Sequence, residues 1–155
     1  MALVDDGDPV RGVGLVTIYA AYLEEQIDQL LTLLEALEPF SNQEQRWPIS
    51  RKLAKAKRLL AQLKFEYRDA MLNDLDACSE RFQWRNEVVH GRIYGGANDR
   101  PDTLKSGRPN VPDRPVESAE LYQLANDLDA LRASIYRPML FQIPRAFAPK
   151  WATRR

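Results

Sequence analysis

Apolar residues recur at alternating three- and four-residue steps over much of the chain, the period of a helix that buries one face. Val16, Tyr19, Leu23, Ile27, Leu30, Leu34 and Leu37 form one such stripe and predict a helix over 13–38. Glu24, Glu25, Asp28 and Glu35 fall off the stripe, and Pro39 stops the helix. After a loop from Ser41 to Pro48, Ile49, Leu53, Ala56, Leu60 and Leu63 predict a second helix over 50–63. Met71, Leu75, Cys78, Phe82 and Val89 predict a third over 66–90, with Gly91 read as a left-handed stop. Arg85 sits in this third stripe, at a step where an apolar residue is due. Leu121, Leu124, Leu128, Leu131 and Ile135 predict a fourth helix over 118–136, with Ser118 as N-cap and Pro138 ending or kinking it.

Between these helices the pattern breaks. Residues 1–12 are polar and read as a loose start, 95–117 as a long Gly/Pro-rich loop, and 144–155 as a basic tail with Phe147 and Trp151 interleaved. Arg92–Tyr94 is short enough to begin a hairpin. The expected fold is all-α: one domain over 1–155, an antiparallel bundle of four main helices with few strands or none and a long loop between the third and fourth.

Charge adds one refinement. Lys+Arg and Asp+Glu are both 22, so the total gives no polyanion binder and any basic footprint must be local. One local candidate is the second helix. Arg51, Lys52, Lys55, Lys57, Arg58 and Lys64 stand there without an acid, read first as a solvated face complementing the acidic first helix, and otherwise as an RNA-contact surface. The single cysteine, Cys78, excludes an intrachain disulfide and a Cys-rich zinc site and fits a reducing cytoplasm. The acidic start does not read as a secretory signal, and no uncharged apolar run approaches the roughly 20 residues of a membrane helix. No P-loop, GxSxG, HExxH or dinucleotide glycine fingerprint is present. No cofactor and no metal site are expected. The carboxylates Asp69, Asp74, Asp76 and Glu80 read as the solvated face of the third helix.

The chemistry concentrates in Arg85-Asn86-Glu87-Val88-Val89-His90-Gly91, which contains the only histidine. Arginine holds phosphate charge, an imidazole moves a proton near neutral pH, and asparagine can orient the ring. Positions four apart differ by about 40° around a helix, so Asn86 and His90 share a face and the amide is within reach of the imidazole. Arg85 and His90 differ by about 140° and diverge. Two copies of the helix about a two-fold axis would bring both residue types to one cleft, which points to a homodimer if the site is catalytic. The simpler alternative is a histidine favoured by the helix dipole, an arginine paired with a carboxylate of another helix, and an ordinary glycine stop.

The pattern Arg-polar-x-x-x-His near a helix end in an all-α chain of this length resembles the signature of HEPN domains (higher eukaryotes and prokaryotes nucleotide-binding). The resemblance extends over the expected bundle, Val13 to Tyr136, with the short motif as its specific part. It implies a metal-independent endoribonuclease acting as a homodimer with Arg85, Asn86 and His90 at the interface. A member of a toxin–antitoxin pair or of a phage-defence system is then expected, with an antitoxin or nucleotidyltransferase as a possible partner. Some family toxins carry a modified tyrosine two residues after the histidine; here that position is Arg92, and Tyr94 follows two residues later. Arg92, Tyr94, Lys55 and Arg58 are the candidate RNA contacts. A non-catalytic RNA- or nucleotide-binding module, or a helical interaction subunit, is the alternative.

Overall fold

The computed structural model describes residues 2–96 and 100–148. Its elements run α1 (Pro9–Leu33), α2 (Ile49–Leu60), α3 (Arg68–His90), β1 (Arg92–Tyr94), β2 (Asp102–Lys105), β3 (Arg114–Val116), α4 (Ser118–Phe141) and α5 (Ile143–Phe147), with 3₁₀ turns at Leu34–Ala36 and Glu44–Arg46. The chain is thus mostly helical, as the periodicity predicts, but the expected long loop holds a small antiparallel sheet of order β1-β2-β3. Arg92 pairs with Lys105, Ile93 with Leu104 and Tyr94 with Thr103, while Asp102 pairs with Val116 and Thr103 with Pro115. Strands of three or four residues are too short for alternation to stand out, and the prolines that suggest loop are tolerated because Pro115 lies on an edge strand. No helix among the described residues is long and apolar enough to cross a membrane.

The chain divides into two compact units, one of Met1–Tyr22 with Glu80–Ala130 and the other of Leu23–Ser79 with Leu131–Arg155. In the first, Val16, Ala20, Phe82, Val88, Leu104, Val116, Leu121, Tyr122, Leu124, Ala125 and Leu128 are buried. In the second, Leu23, Ile27, Leu30, Leu31, Leu34, Leu53, Leu59, Leu60, Met71, Leu75, Cys78, Ile135, Met139 and Ile143 are buried. Each large aliphatic side chain so buried contributes about 1.5–3 kcal/mol. Leu37 lies outside both cores, 37% exposed, because the helix tightens into a 3₁₀ turn before it and the stripe loses phase. On α3 the buried valine is Val88 rather than Val89.

The first unit corrects the expectation of a loose start. Leu3 donates its backbone N–H to Asn126 Oδ1 at 2.8 Å, and Asn126 donates back to Leu3 O at 3.3 Å. The Tyr122 hydroxyl donates to Asp6 Oδ1 at 2.6 Å, and Asp6 pairs with Arg11. Asp8 Oδ1 accepts from the N–H groups of Val10 (2.9 Å) and Arg11 (3.3 Å), so Asp8 caps α1 and Pro9 fills its first position, where a missing N–H costs nothing. Gly12 is required by close approach: a Cβ there would lie 2.9 Å from Leu121 Cβ. Ser118 is not a cap; its hydroxyl donates to Asp5 Oδ2 at 3.1 Å. Pro138 does not end α4, which continues to Phe141 and then leads into α5.

The second unit corrects the solvated face of α2. Lys52 and Lys55 are only 3% and 4% exposed. The Lys52 ammonium meets Asp28 at 2.8 Å and Glu24 at 3.7 Å. Lys55 Nζ donates to Glu44 Oε1 at 2.6 Å and to Pro39 O at 2.5 Å, meets Glu38 at 3.3 Å, and lies 5.9 Å from the ring centres of both Phe40 and Trp47. Glu44 also accepts from the Ser41 N–H at 2.7 Å while its own N–H donates to Ser41 Oγ at 3.3 Å, a reciprocal capping box around the 3₁₀ turn. The Lys55 hydrogen bond, and then the Ser41 amide, hold the Glu44 carboxyl down at about 2. Lys57 pairs with Asp76, and Arg58 Nη2 donates to both oxygens of Glu38 at 2.7 and 2.8 Å. Cys78 is a core thiol, pushed up to about 12 chiefly by burial, and therefore a poor nucleophile.

Candidate functional site

The C-terminal turns of α3 carry the motif, and the sheet is what they face. Gly91 does not adopt a left-handed conformation; Gly7 is the glycine with positive φ among the described residues. Glycine is needed at 91 because a Cβ would lie 2.5 Å from Leu104 Cδ1 and 2.6 Å from Glu87 O. The buried Leu104 of β2 therefore closes directly over the end of α3, and this contact sets where the chain turns into β1.

Beside that contact runs a groove of about 140 Å³, lined by Gln83, Asn86, Glu87 and His90 of α3 and by Ser106, Arg108 and Val111 of the connection between β2 and β3. Its volume is well below the roughly 300–1,000 Å³ of a pocket that encloses a whole small molecule, and suits a group the size of a phosphate. His90 is exposed and Asn86 half-buried. The connection is shaped locally: the Arg108 N–H donates to Ser106 Oγ at 3.1 Å, and Asn110 takes a positive φ of 67°, which asparagine tolerates better than most residues. Arg108 is exposed and has no ion-pair partner among the described residues. Glu87 brings one opposing negative charge to the groove.

Asn86 and His90 are thus brought together, as their four-residue spacing predicts. Arg85 is not brought to them. It is half-buried, its Nη1 donates to Asn86 Oδ1 at 2.9 Å, and its Nε is buried without a hydrogen-bond partner. The Asn86 carbonyl oxygen is engaged by Arg85, which leaves the amide NH₂ as the donor available to the groove. Arg85 thereby positions Asn86 from behind.

The remaining candidates separate. Arg92 and Tyr94 are exposed on the edge strand β1, outside the lining of this groove, and Lys105 Nζ stands 5.2 Å from the centre of the Tyr94 ring. Lys55 is withdrawn from the surface by Glu44, Glu38 and Pro39 O, which corrects its reading as an RNA contact: a buried ammonium with three oxygen partners has no donor to offer a phosphate. Arg58 is exposed, and its Nη2 donates to both Glu38 carboxylate oxygens, so a carboxylate already shares its charge. Of the basic tail, Arg145 is exposed on α5 and Phe147 half-buried, while Lys150, Trp151, Arg154 and Arg155 lie outside the described residues.

The groove residue that sequence reasoning missed is Arg108. Nothing in Ser106-Gly107-Arg108-Pro109 marks it as more than loop, since its proximity to His90 arises from the pairing of β1 with β2. Among the described residues no three His, Cys, Asp or Glu side chains cluster in a way that would hold a metal ion. No family model, curated protein or solved structure matches this chain.

Proposed function

We propose that the chain is a metal-independent endoribonuclease that cleaves RNA through attack of a ribose 2′-hydroxyl. The observation that carries the reading is an exposed imidazole, His90, lining one phosphate-sized groove with the Asn86 amide and the Arg108 guanidinium. Neutral His90 takes the 2′-hydroxyl proton; the 2′-oxygen attacks phosphorus, a 2′,3′-cyclic phosphate forms and the 5′-oxygen leaves. Arg108 and the Asn86 NH₂ stabilise charge on the phosphorane oxygens. The leaving oxygen needs a proton, and this chain has a single histidine, so a second, protonated imidazole comes from a second copy of the chain. A homodimer, with RNA as substrate, therefore belongs to the same proposal, as does the narrower reading of a toxin or phage-defence nuclease.

Incubation of the purified protein with RNA in EDTA tests this. Cleavage leaving cyclic phosphate ends, abolished in His90→Ala and falling in specific activity on dilution, is the expected result. DNA of the same sequence, which lacks the attacking hydroxyl, stays intact. Cleavage that survives in His90→Ala sinks the proposal. One observation favours a second reading: the Arg85 guanidinium does not line the groove, which suits a non-catalytic RNA- or nucleotide-binding module. RNA shifted in a gel but uncut selects that reading.

A further inference from the structure

The second unit contains another groove, of about 590 Å³, built from the C-terminal half of α4, α5 and the residue just ahead of α3. Its composition differs from the rest of that unit. Arg137 and Arg145 line it, both exposed and neither in an ion pair among the described residues, in a unit where the cations of α2 are largely committed to carboxylates. Tyr67 and Phe141 line it too, 50% and 56% exposed, so both rings are open to solvent within the groove. No carboxylate is part of the lining. The groove has a defined frame: the Tyr67 N–H donates to Gln142 Oε1 at 3.1 Å, fixing the Tyr67 backbone to the α4–α5 junction, and the Ser134 hydroxyl donates to Asp74 Oδ2 at 2.5 Å.

We infer that this groove binds single-stranded nucleic acid, with Tyr67 and Phe141 as stacking platforms and Arg137 and Arg145 as contacts to successive phosphates. Aromatic faces accept any base, and guanidiniums track the backbone without reading sequence. Two cations and two rings match a strand of at least two nucleotides better than a single nucleotide, which offers one base. The ligand chemistry, a base joined to a phosphate, is common to a strand and to a free nucleotide. Nothing in it requires a 2′-hydroxyl, so the groove stands or falls independently of RNA cleavage at His90.

The test is binding of a short fluorescent oligodeoxyadenylate, which the proposed nuclease cannot cut, with AMP as competitor. Wild-type protein should bind it with an affinity that falls as salt rises. Tyr67→Ala and Phe141→Ala should each weaken binding about tenfold, as the loss of one stacking platform does. The Arg137→Ala/Arg145→Ala variant should flatten the dependence of log K on log salt by about 1.4, two phosphates' worth for a single strand. Arg46→Ala, which removes an exposed cation elsewhere, should change little. All these side chains are exposed, so the variants should keep the wild-type melting temperature, and circular dichroism checks this. Absence of oligonucleotide binding, or equal losses in Arg46→Ala and the groove variants, overturns the assignment. AMP that binds as tightly as the oligonucleotide and responds identically to the variants overturns the strand in favour of a mononucleotide. Loss of RNA cleavage in His90→Ala with oligodeoxyadenylate binding intact keeps the two sites distinct.

Discussion

The cations of α2 and the cation beside His90 are the same chemistry put to opposite uses. Lys52 and Lys55 are buried and surrounded by carboxylates and a carbonyl, and Lys57 and Arg58 are each paired at the surface. Arg108 stands exposed on a short connection with no ion-pair partner among the described residues, lining a groove with an imidazole and an amide. The α2 cluster is the more conspicuous in the sequence, since five cations fall there without an acid, yet four of them are spent on carboxylates of α1, of α3 and of the loop around Glu44. The difference teaches that local charge density is a poor guide to which cations the fold leaves unpaired. What matters is whether the fold leaves the charge a partner, and that is decided by residues distant in sequence.

The strongest way to break this contrast is at Arg108. Arg108→Ala should lower RNA cleavage in EDTA by about 10²-fold, the scale for losing one donor to developing charge, with an unchanged melting temperature. A full-activity variant would return Arg108 to the status of an ordinary loop residue. At Lys55 the pattern inverts. Lys55→Ala should cost about 2–4 kcal/mol, because it strands the Pro39 carbonyl and Glu44 without their shared donor, and chemical denaturation measures this. Arg58→Ala, which breaks an exposed pair, should move the melting temperature by no more than about 2 °C. Equal losses at the two positions would erase the distinction between buried and surface cations on this helix.

Gly91 sharpens the groove side of the comparison. If the residue served as a left-handed stop, asparagine would replace it well; because Leu104 and the Glu87 carbonyl fill the space a Cβ would occupy, Gly91→Asn and Gly91→Ala should both cost about 1–3 kcal/mol by thermal or denaturant melts. Tolerance of asparagine alone would restore the left-handed reading. The smallest effect is in acid. The Glu44 carboxyl in the folded chain lies at about 2, below its ordinary 4.5, so its contribution is complete above about pH 4.5 and is lost as pH falls through about 2. Glu38 is lowered in the same sense by Arg58 and then Lys55. Glu44→Gln should therefore be less stable than wild type at neutral pH and flatter in its stability profile between about pH 4.5 and 2, measured by denaturant midpoints across that range.

Much of this was legible in the order of residues. The apolar stripes located four helices, with ends within five residues, because a half-buried helix leaves a period that no other element mimics; the short α5 left no such period. The start of α1 was missed: residues 1–12 read as loose, although Asp8 caps the helix and Pro9 opens it. Asn86 and His90 on one face followed from 3.6 residues per turn alone. Three things depended on tertiary structure. The sheet exists because β2 pairs with a strand on either side, and strands of three residues carry no period of their own. Lys52 and Lys55 went inside because Asp28, Glu24, Glu44 and the Pro39 carbonyl converge on them, which no local pattern encodes. Arg108 reached His90, and Arg85 turned to Asn86 instead, because the partner of a charged side chain is chosen by what lies across space, while helical periodicity reports only which face a residue is on.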